Sequence, residues 1–407
     1  MYWDQYCFLS NKFVILKRKL MLASNFNTIQ NHFLLEETRK LVQLEIINQN
    51  QFEELEKKTI TTKTNSNILL RIGFFILGNF LLSSIFGLFC LAFSFIENTR
   101  MLGACAFIAG IITIVISEFL RNQKYFSYGL DDSFIVSITL FFGIATSIFS
   151  ENINCIFITI ILTTAFTTIR YVHTPSILIF LVSLVSYVGY WAIIQKNISS
   201  FILALLFFIA AVGIYCIQLK ISQYINYYIY KNVFFTAKIV SILLAYLSLN
   251  YFSVRELSKI LLEDDFSKLQ EIPLASLFYI TTFVIPIFYI FYGLKEKERT
   301  FLWIGLLTLG LSFATIRYYH DYLPMEYALL LAGGILFAIV YFFIQKIKNN
   351  TIGITFKEDK SINPKAFDLI KVILVNAQVN TTVDTIQKDP VEFGGGGFSG
   401  GGSGETF

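Results

Sequence analysis

The chain has 407 residues, of which 55% are hydrophobic and only 15% charged, with a net charge of +4 and a mean hydropathy of +0.62. Soluble domains carry about a quarter charged residues, so this composition excludes an ordinary water-soluble globular protein. The small net charge, with its basic residues in loops, gives no footing for nucleic-acid binding.

The five cysteines (Cys7, Cys90, Cys105, Cys155 and Cys216) are scattered without Cys-x-x-Cys spacing. They read as free thiols packed as small hydrophobes and imply neither a disulfide framework nor a metal cluster. Phe and Tyr, at 43 and 22 residues, are abundant beside Ile, Asn and Lys. All five have A/T-rich codons, which points to an A/T-rich bacterial genome.

At the N-terminus, Phe13-Val14-Ile15-Leu16 precedes Lys17-Arg18-Lys19, the reverse of a secretory signal, so no cleavable leader is expected. Met21 reads as an alternative start, with residues 1–20 an extension before it, and the N-terminal division is drawn over 1–25. Residues 26–71 hold a short soluble helical hairpin. Leu34, Leu35, Leu41 and Val42 mark one amphipathic helix, Asn48-Gln49-Asn50 breaks it, and Asn50 with Glu53 fits a capping box opening a second helix over 52–58.

From 72 to 346 the chain is predicted to form an all-α, polytopic transmembrane helical bundle. About ten apolar segments, each roughly 17–25 residues long, match the bilayer core at about 1.5 Å rise per residue. They are 72–96, 101–120, 133–149, 152–169, 175–194, 199–218, 232–252, 273–293, 301–317 and 324–345. Only Ser150-Glu151 separates the third from the fourth. With the N-terminus inside, the inner connections carry more than twice as many Lys and Arg as the outer ones. The hairpin and both termini are therefore expected in the cytoplasm, with the bundle in the bacterial inner membrane.

The one long outer connection, 253–272, is helical in pattern. Ser253 and Glu256 fit a capping box, and Leu257, Ile260, Leu261 and Leu269 share a face, as an interfacial rim helix requires. Residues 347–393 form a polar cytoplasmic segment with one mixed stretch at 364–379, and 394–407 is a flexible Gly-rich tail.

The hairpin, the uninterrupted spans, and the final connection Arg317-Tyr318-Tyr319-His320-Asp321-Tyr322 before a span carrying Gly333-Gly334 resemble a group of bacterial inner-membrane proteins classed as a domain of unknown function. That resemblance covers about residues 30–346; where members tend to carry Gly-hydrophobic-Ser/Thr in the hairpin turn, this chain has Ile46-Ile47-Asn48. The tail is similar to those of some TPM-type membrane proteins. Neither resemblance implies a site residue.

Polar groups inside spans are the candidate functional residues. Lys238 lies about nine ångströms into its span at 1.5 Å per residue; its long stem can snorkel to the interface, or it can face the bundle interior and pair with a carboxylate. Glu118, at similar depth on the same side, is one such partner. Pro286 lies mid-span, where it should kink the helix and free carbonyls to line a cavity. On the outer side Arg317, His320 and Asp321 cluster among tyrosines, as an aromatic belt or an anion or proton site. Arg170, Tyr171 and His173 read as a headgroup anchor, Glu263, Asp264 and Asp265 as a solvated face, and Gly333-Gly334 as packing. No nucleophile, Walker or His-Glu-x-x-His motif is present.

The expected function is a transporter or permease for a small or lipid-like molecule, with no cofactor. The alternatives are a structural or regulatory envelope protein binding protein partners through 26–63 or the tail, and an intramembrane enzyme with Arg317, His320 and Asp321 as its only foothold. The lipid bilayer is the one partner common to all three.

Overall fold

The computed structural model describes residues 22–23, 26–43, 46–65, 67–93, 99–195, 199–224, 227–262, 272 and 274–319, with scattered positions from 327 to 345. They form helices α1 (Phe26–Gln43), α2 (Gln49–Lys58), α3 (Ile68–Phe93), α4 (Thr99–Asn122), α5 (Leu130–Phe149), α6 (Ile153–Tyr171), α7 (Thr174–Gln195), α8 (Ser200–Tyr224), α9 (Tyr227–Leu249), α10 (Tyr251–Leu262), α11 (Ala275–Glu296) and α12 (Arg299–Tyr319). Among the described residues nine helices, α3 to α9, α11 and α12, are long and apolar enough to cross a membrane. The protein is thus an all-α, multi-pass membrane protein.

The tenth expected span lies largely outside the described residues; those described within it, including Tyr327, Leu330 and Phe337, are helical and exposed. Residues 1–21, the segment 347–393 and the tail 394–407 also fall outside the described residues.

The distribution of residue types inverts that of a soluble bundle. On α4 the buried stripe is Gly103, Ala106, Gly110, Thr113, Ser117 and Arg121, while Phe107, Ile108, Ile111 and Val115 are exposed. In lipid, burying apolar area between helices gains little, so close backbone approach through small residues takes over. An added Cβ at Gly103 would meet Ile148 of α5 at 2.9 Å, and one at Gly110 the Phe142 ring at 3.1 Å. Thr113 and Ser117 satisfy their hydroxyls on helix carbonyls one turn back, at 2.7 Å each. The same logic joins α11 to α12: a Cβ on Gly293 would meet the Leu302 nitrogen at 2.7 Å, and one on Gly305 the Ile290 nitrogen at 2.9 Å.

The third and fourth spans are separate helices after all their proximity. The Asn152 side chain accepts from the Asn154 N–H at 3.0 Å and opens α6. Two caps differ from expectation. Helix α2 opens at Gln49, with the Gln51 side chain accepting from the Asn48 N–H at 3.2 Å, because Asn48 rather than Asn50 takes the extended backbone a cap needs. Helix α10 is opened by Asn250, whose side chain accepts from Phe252 and Ser253, and Glu256 turns instead to Lys259 and Tyr319.

The hairpin is docked on one end of the bundle. Leu22, Ile29 and Phe33 bury against Phe126, Val172, Ile229 and Val233. Lys231 of α9 donates to Glu37 of α1 at 2.6 Å, and a short parallel bridge pairs Lys63 with Tyr125. His32 packs beside Phe33 and Phe126.

Burial pushes His32 below its ordinary value of 6.5, Glu36 opposing and Arg39 reinforcing the shift. The undocked hairpin therefore takes a proton that the docked one refuses. Docking is at full strength above pH 6.5 and weakens as pH falls below it; hydrogen exchange over α1 should show this loss, and H32Q should flatten it. Gly293→Ala and Gly305→Ala should each lower stability in detergent unfolding by about 1–3 kcal/mol, the usual cost of overpacking.

Candidate functional site

Among the described residues the buried charged and histidine side chains, apart from Arg255 of α10, gather where the α4–α5 connection meets α3, α6 and α7, at the hairpin-bearing end. The α4–α5 loop turns sharply, with positive φ at Lys124, Ser127 and Gly129. Gly129 is required there twice over: its φ of +107° strains any other residue, and a Cβ would overlap the Arg71 carbonyl. This turn aims three backbone N–H groups, of Ser127, Tyr128 and Gly129, at the Asp131 carboxylate at 2.9–3.1 Å. Asp131 sits in the first turn of α5, where the helix dipole also favours a carboxylate.

Arg121, at the end of α4, reaches Asp131 at 3.6 Å with both side chains 1% exposed. It donates to the Tyr125 and Tyr171 carbonyls at 3.2 and 3.1 Å and lies over the Phe126 ring. The fork thus ties the α4–α5 connection to the end of α6 and leaves little for the pair itself to hold.

Asp132 is the hub. Its Oδ2 accepts from Arg71 Nε at 2.8 Å and lies 2.7 Å from Arg71 Nη2. Its Oδ1 faces His173 Nε2 at 3.3 Å, without an aligned hydrogen bond and without any other partner for either atom. The other ring nitrogen, Nδ1, lies 2.8 Å from Ser176 Oγ, which accepts from Thr167 of α6 at 2.8 Å. His173, Ser176 and Thr167 are almost wholly buried. The sequence reads His173 as part of a headgroup anchor and does not single out Asp131 or Asp132; the missed signal is two adjacent carboxylates entering an apolar segment, which needs cations from elsewhere.

The expected site residues fall in separate places. Glu118 pairs with Arg170, whose Nε and Nη2 donate at 2.8 and 3.1 Å, and also accepts from Tyr171. Lys238 does not meet it; it donates to Glu298 at 2.6 Å and lies 5.2 Å from the Phe301 ring centroid. Lys238 is therefore paired with a carboxylate, but one supplied by the turn before α12. Arg317 is in the last turn of α12; His320 and Asp321 lie outside the described residues, as do Glu263, Asp264 and Asp265.

Pro286 is buried in α11, which runs through it from Ala275 to Glu296. The proline lacks the N–H that would bond the Thr282 carbonyl one turn back. Ser312 of α12 takes that place, donating to the Thr282 carbonyl at 2.6 Å, and continues into Tyr246 and Asn250 of α9 and its end. The freed carbonyl closes a polar seam between helices, where a cavity lining was expected.

Compared with protein-family models, curated proteins and solved structures, the chain matches none.

Asp132→Asn should cost about 2 kcal/mol of stability, less than breaking a wholly buried pair, because Arg71 is 36% exposed and regains water. Ser312→Ala should cost about 1 kcal/mol. Combined with Pro286→Ala that cost should shrink, since the restored N–H at position 286 bonds the Thr282 carbonyl; a double-mutant cycle in detergent unfolding measures the difference.

Proposed function

We propose that the protein is a membrane transporter for a small or lipid-like molecule, with the Arg71–Asp132–His173 network as the gate at its hairpin-bearing end. The observation that carries this is the convergence of Arg71, Arg121, Asp131, Asp132 and His173 at one end of the bundle. Ionisable groups are costly beside hydrocarbon and mark routes for solutes and ions. The two halves of the network also differ in kind. Arg121 and Asp131 are held by backbone groups of the α4–α5 connection and the end of α6, whereas Asp132 is held by side chains of α3 and the α6–α7 turn. Side-chain pairs exchange partners without unfolding a helix, so Asp132 is the element that can open.

The surplus of Lys and Arg at the hairpin-bearing end supports placing that end, and both termini, in the cytoplasm of a bacterial inner membrane. A scaffold function is the second reading, favoured by the exposed charged face of α2, with Glu53, Glu54, Glu56, Lys57 and Lys58 turned to solvent while Phe52 and Leu55 are buried.

The full chain reconstituted in liposomes should accumulate at least one member of a panel of labelled amino acids, carboxylates, sugars and lysolipids above empty vesicles. Asp132→Asn should change that rate. Retention of a stoichiometric protein partner on purification from the native membrane, with no solute moved, would support the scaffold reading and overturn transport.

A further inference from the structure

We infer that the α1–α2 hairpin is an autoinhibitory strap: docked, it ties the start of α9 to the α4–α5 loop and the end of α6, and so holds the Arg71–Asp132–His173 gate shut. The inference rests on the transport reading above.

The strap grips two separate parts of the bundle end, and it grips them by different kinds of bond. Its hold on the α4–α5 loop and on α6 is through the backbone. Lys63, in the segment between α2 and α3, donates its N–H to the Lys124 carbonyl at 2.7 Å and accepts from the Phe126 N–H at 3.0 Å. Ala23, just before α1, donates to the Arg170 carbonyl at 2.9 Å. Asn31 of α1 donates to the Ile60 carbonyl at 3.2 Å, so the two ends of the hairpin are joined to each other.

The hold on α9 is made by side chains. Ile29 and Phe33, one helical turn apart on α1, pack with Ile229 and Val233. Glu37, one turn further, accepts from Lys231 at 2.6 Å, and both members of that pair are partly exposed. Outside the strap, the Tyr230 hydroxyl joins α9 to the Ile169 carbonyl of α6 at 2.8 Å. A partly exposed ion pair exchanges readily with water, whereas the paired backbone bonds at the loop do not, so α9 is the side that lets go.

The gate hangs from the same strap. Arg71 follows Lys63 by eight residues, in the first turn of α3. His173 follows Val172, which is buried in one cluster with Phe33, Ile229 and Val233. The Phe126 ring meets that of Phe33 edge-on, with centroids 6.3 Å apart, and lies 4.8 Å from the Arg121 guanidinium. While α9 is gripped, the backbones carrying both side-chain partners of Asp132 are therefore fixed. Release of α9 unpacks Val172 and frees the α6–α7 turn to carry His173 away from Asp132, which is the opening the gate requires.

The test compares the parent chain, E37K and the charge-swapped E37K/K231E chain, in liposomes for uptake of the labelled solute panel and in lipid nanodiscs for hydrogen exchange. E37K sets two cations against each other, and should raise both uptake and exchange of the α1 amides by about 2- to 5-fold, the population shift that loss of one partly exposed ion pair gives. The swap should return both to the parent values, and the Lys63 and Phe126 amides should stay protected in all three chains. As a second probe, E37C/K231C in a chain whose five native cysteines are replaced by alanine should lose uptake when a reductant-cleavable crosslinker bridges the two thiols, and regain it on reduction. Parent uptake that E37K leaves unchanged, a rise that the swap does not reverse, or undiminished uptake by the bridged chain would overturn the strap and leave transport standing. Vesicles in which neither the parent nor E37K moves any solute would overturn the inhibitory role together with the transport reading.

Discussion

Hydrocarbon offers no hydrogen-bond partner, so each polar group the bundle buries must be satisfied by the protein itself. That constraint acts first on the backbone, producing uninterrupted helices, and then on side chains. Most buried Thr and Ser residues turn back to their own helix, as Thr113 and Ser117 do, and stabilise nothing beyond it. A few, also within reach of a carbonyl of their own helix, extend to a neighbour. Ser312 answers the carbonyl that Pro286 leaves open, and Thr167 answers Ser176. The interior therefore divides into small-residue stripes that set helix distances and a few polar seams that set which helices are neighbours.

Charge is handled differently at the two seams. Around Tyr246, Asn250, Thr282 and Ser312 the groups are neutral, and their hydrogen bonds fix α9, α11 and α12 to one another. Around Asp132 the groups are ionisable, held partly by side chains, and located where the hairpin and the α4–α5 loop cover the bundle end. The first arrangement suits a rigid wall. The second suits a part that changes state, since an ion pair has discrete alternatives and a close-packed stripe has none.

Much of this was legible in the chain. The nine described spans follow from apolar length alone, and the α4 stripe can be read as small residues at spacings of three and four. Candidate site residues are less legible, because a polar residue within a span does not show what stands opposite it. Lys238 and Glu118 were singled out for depth, yet each is paired with a residue at a helix end, Glu298 and Arg170. Asp131 and Asp132 do not stand out in the sequence, since they lie at a span boundary, where a carboxylate is ordinarily solvated. Their burial depends on Phe126, Arg71 and the α6–α7 turn converging on them, residues separated widely in sequence.

The sequence by itself determined the membrane class, the number and order of the described spans within a few residues at each end, and the hairpin before them. These depend on local quantities: apolar run length, small-residue spacing and turn chemistry. Only the tertiary structure decided which helices touch, that the hairpin is docked on the bundle, and which cation meets which carboxylate. Pairing in lipid is set by complementarity between distant segments, and the sequence within one segment carries no record of what stands opposite it.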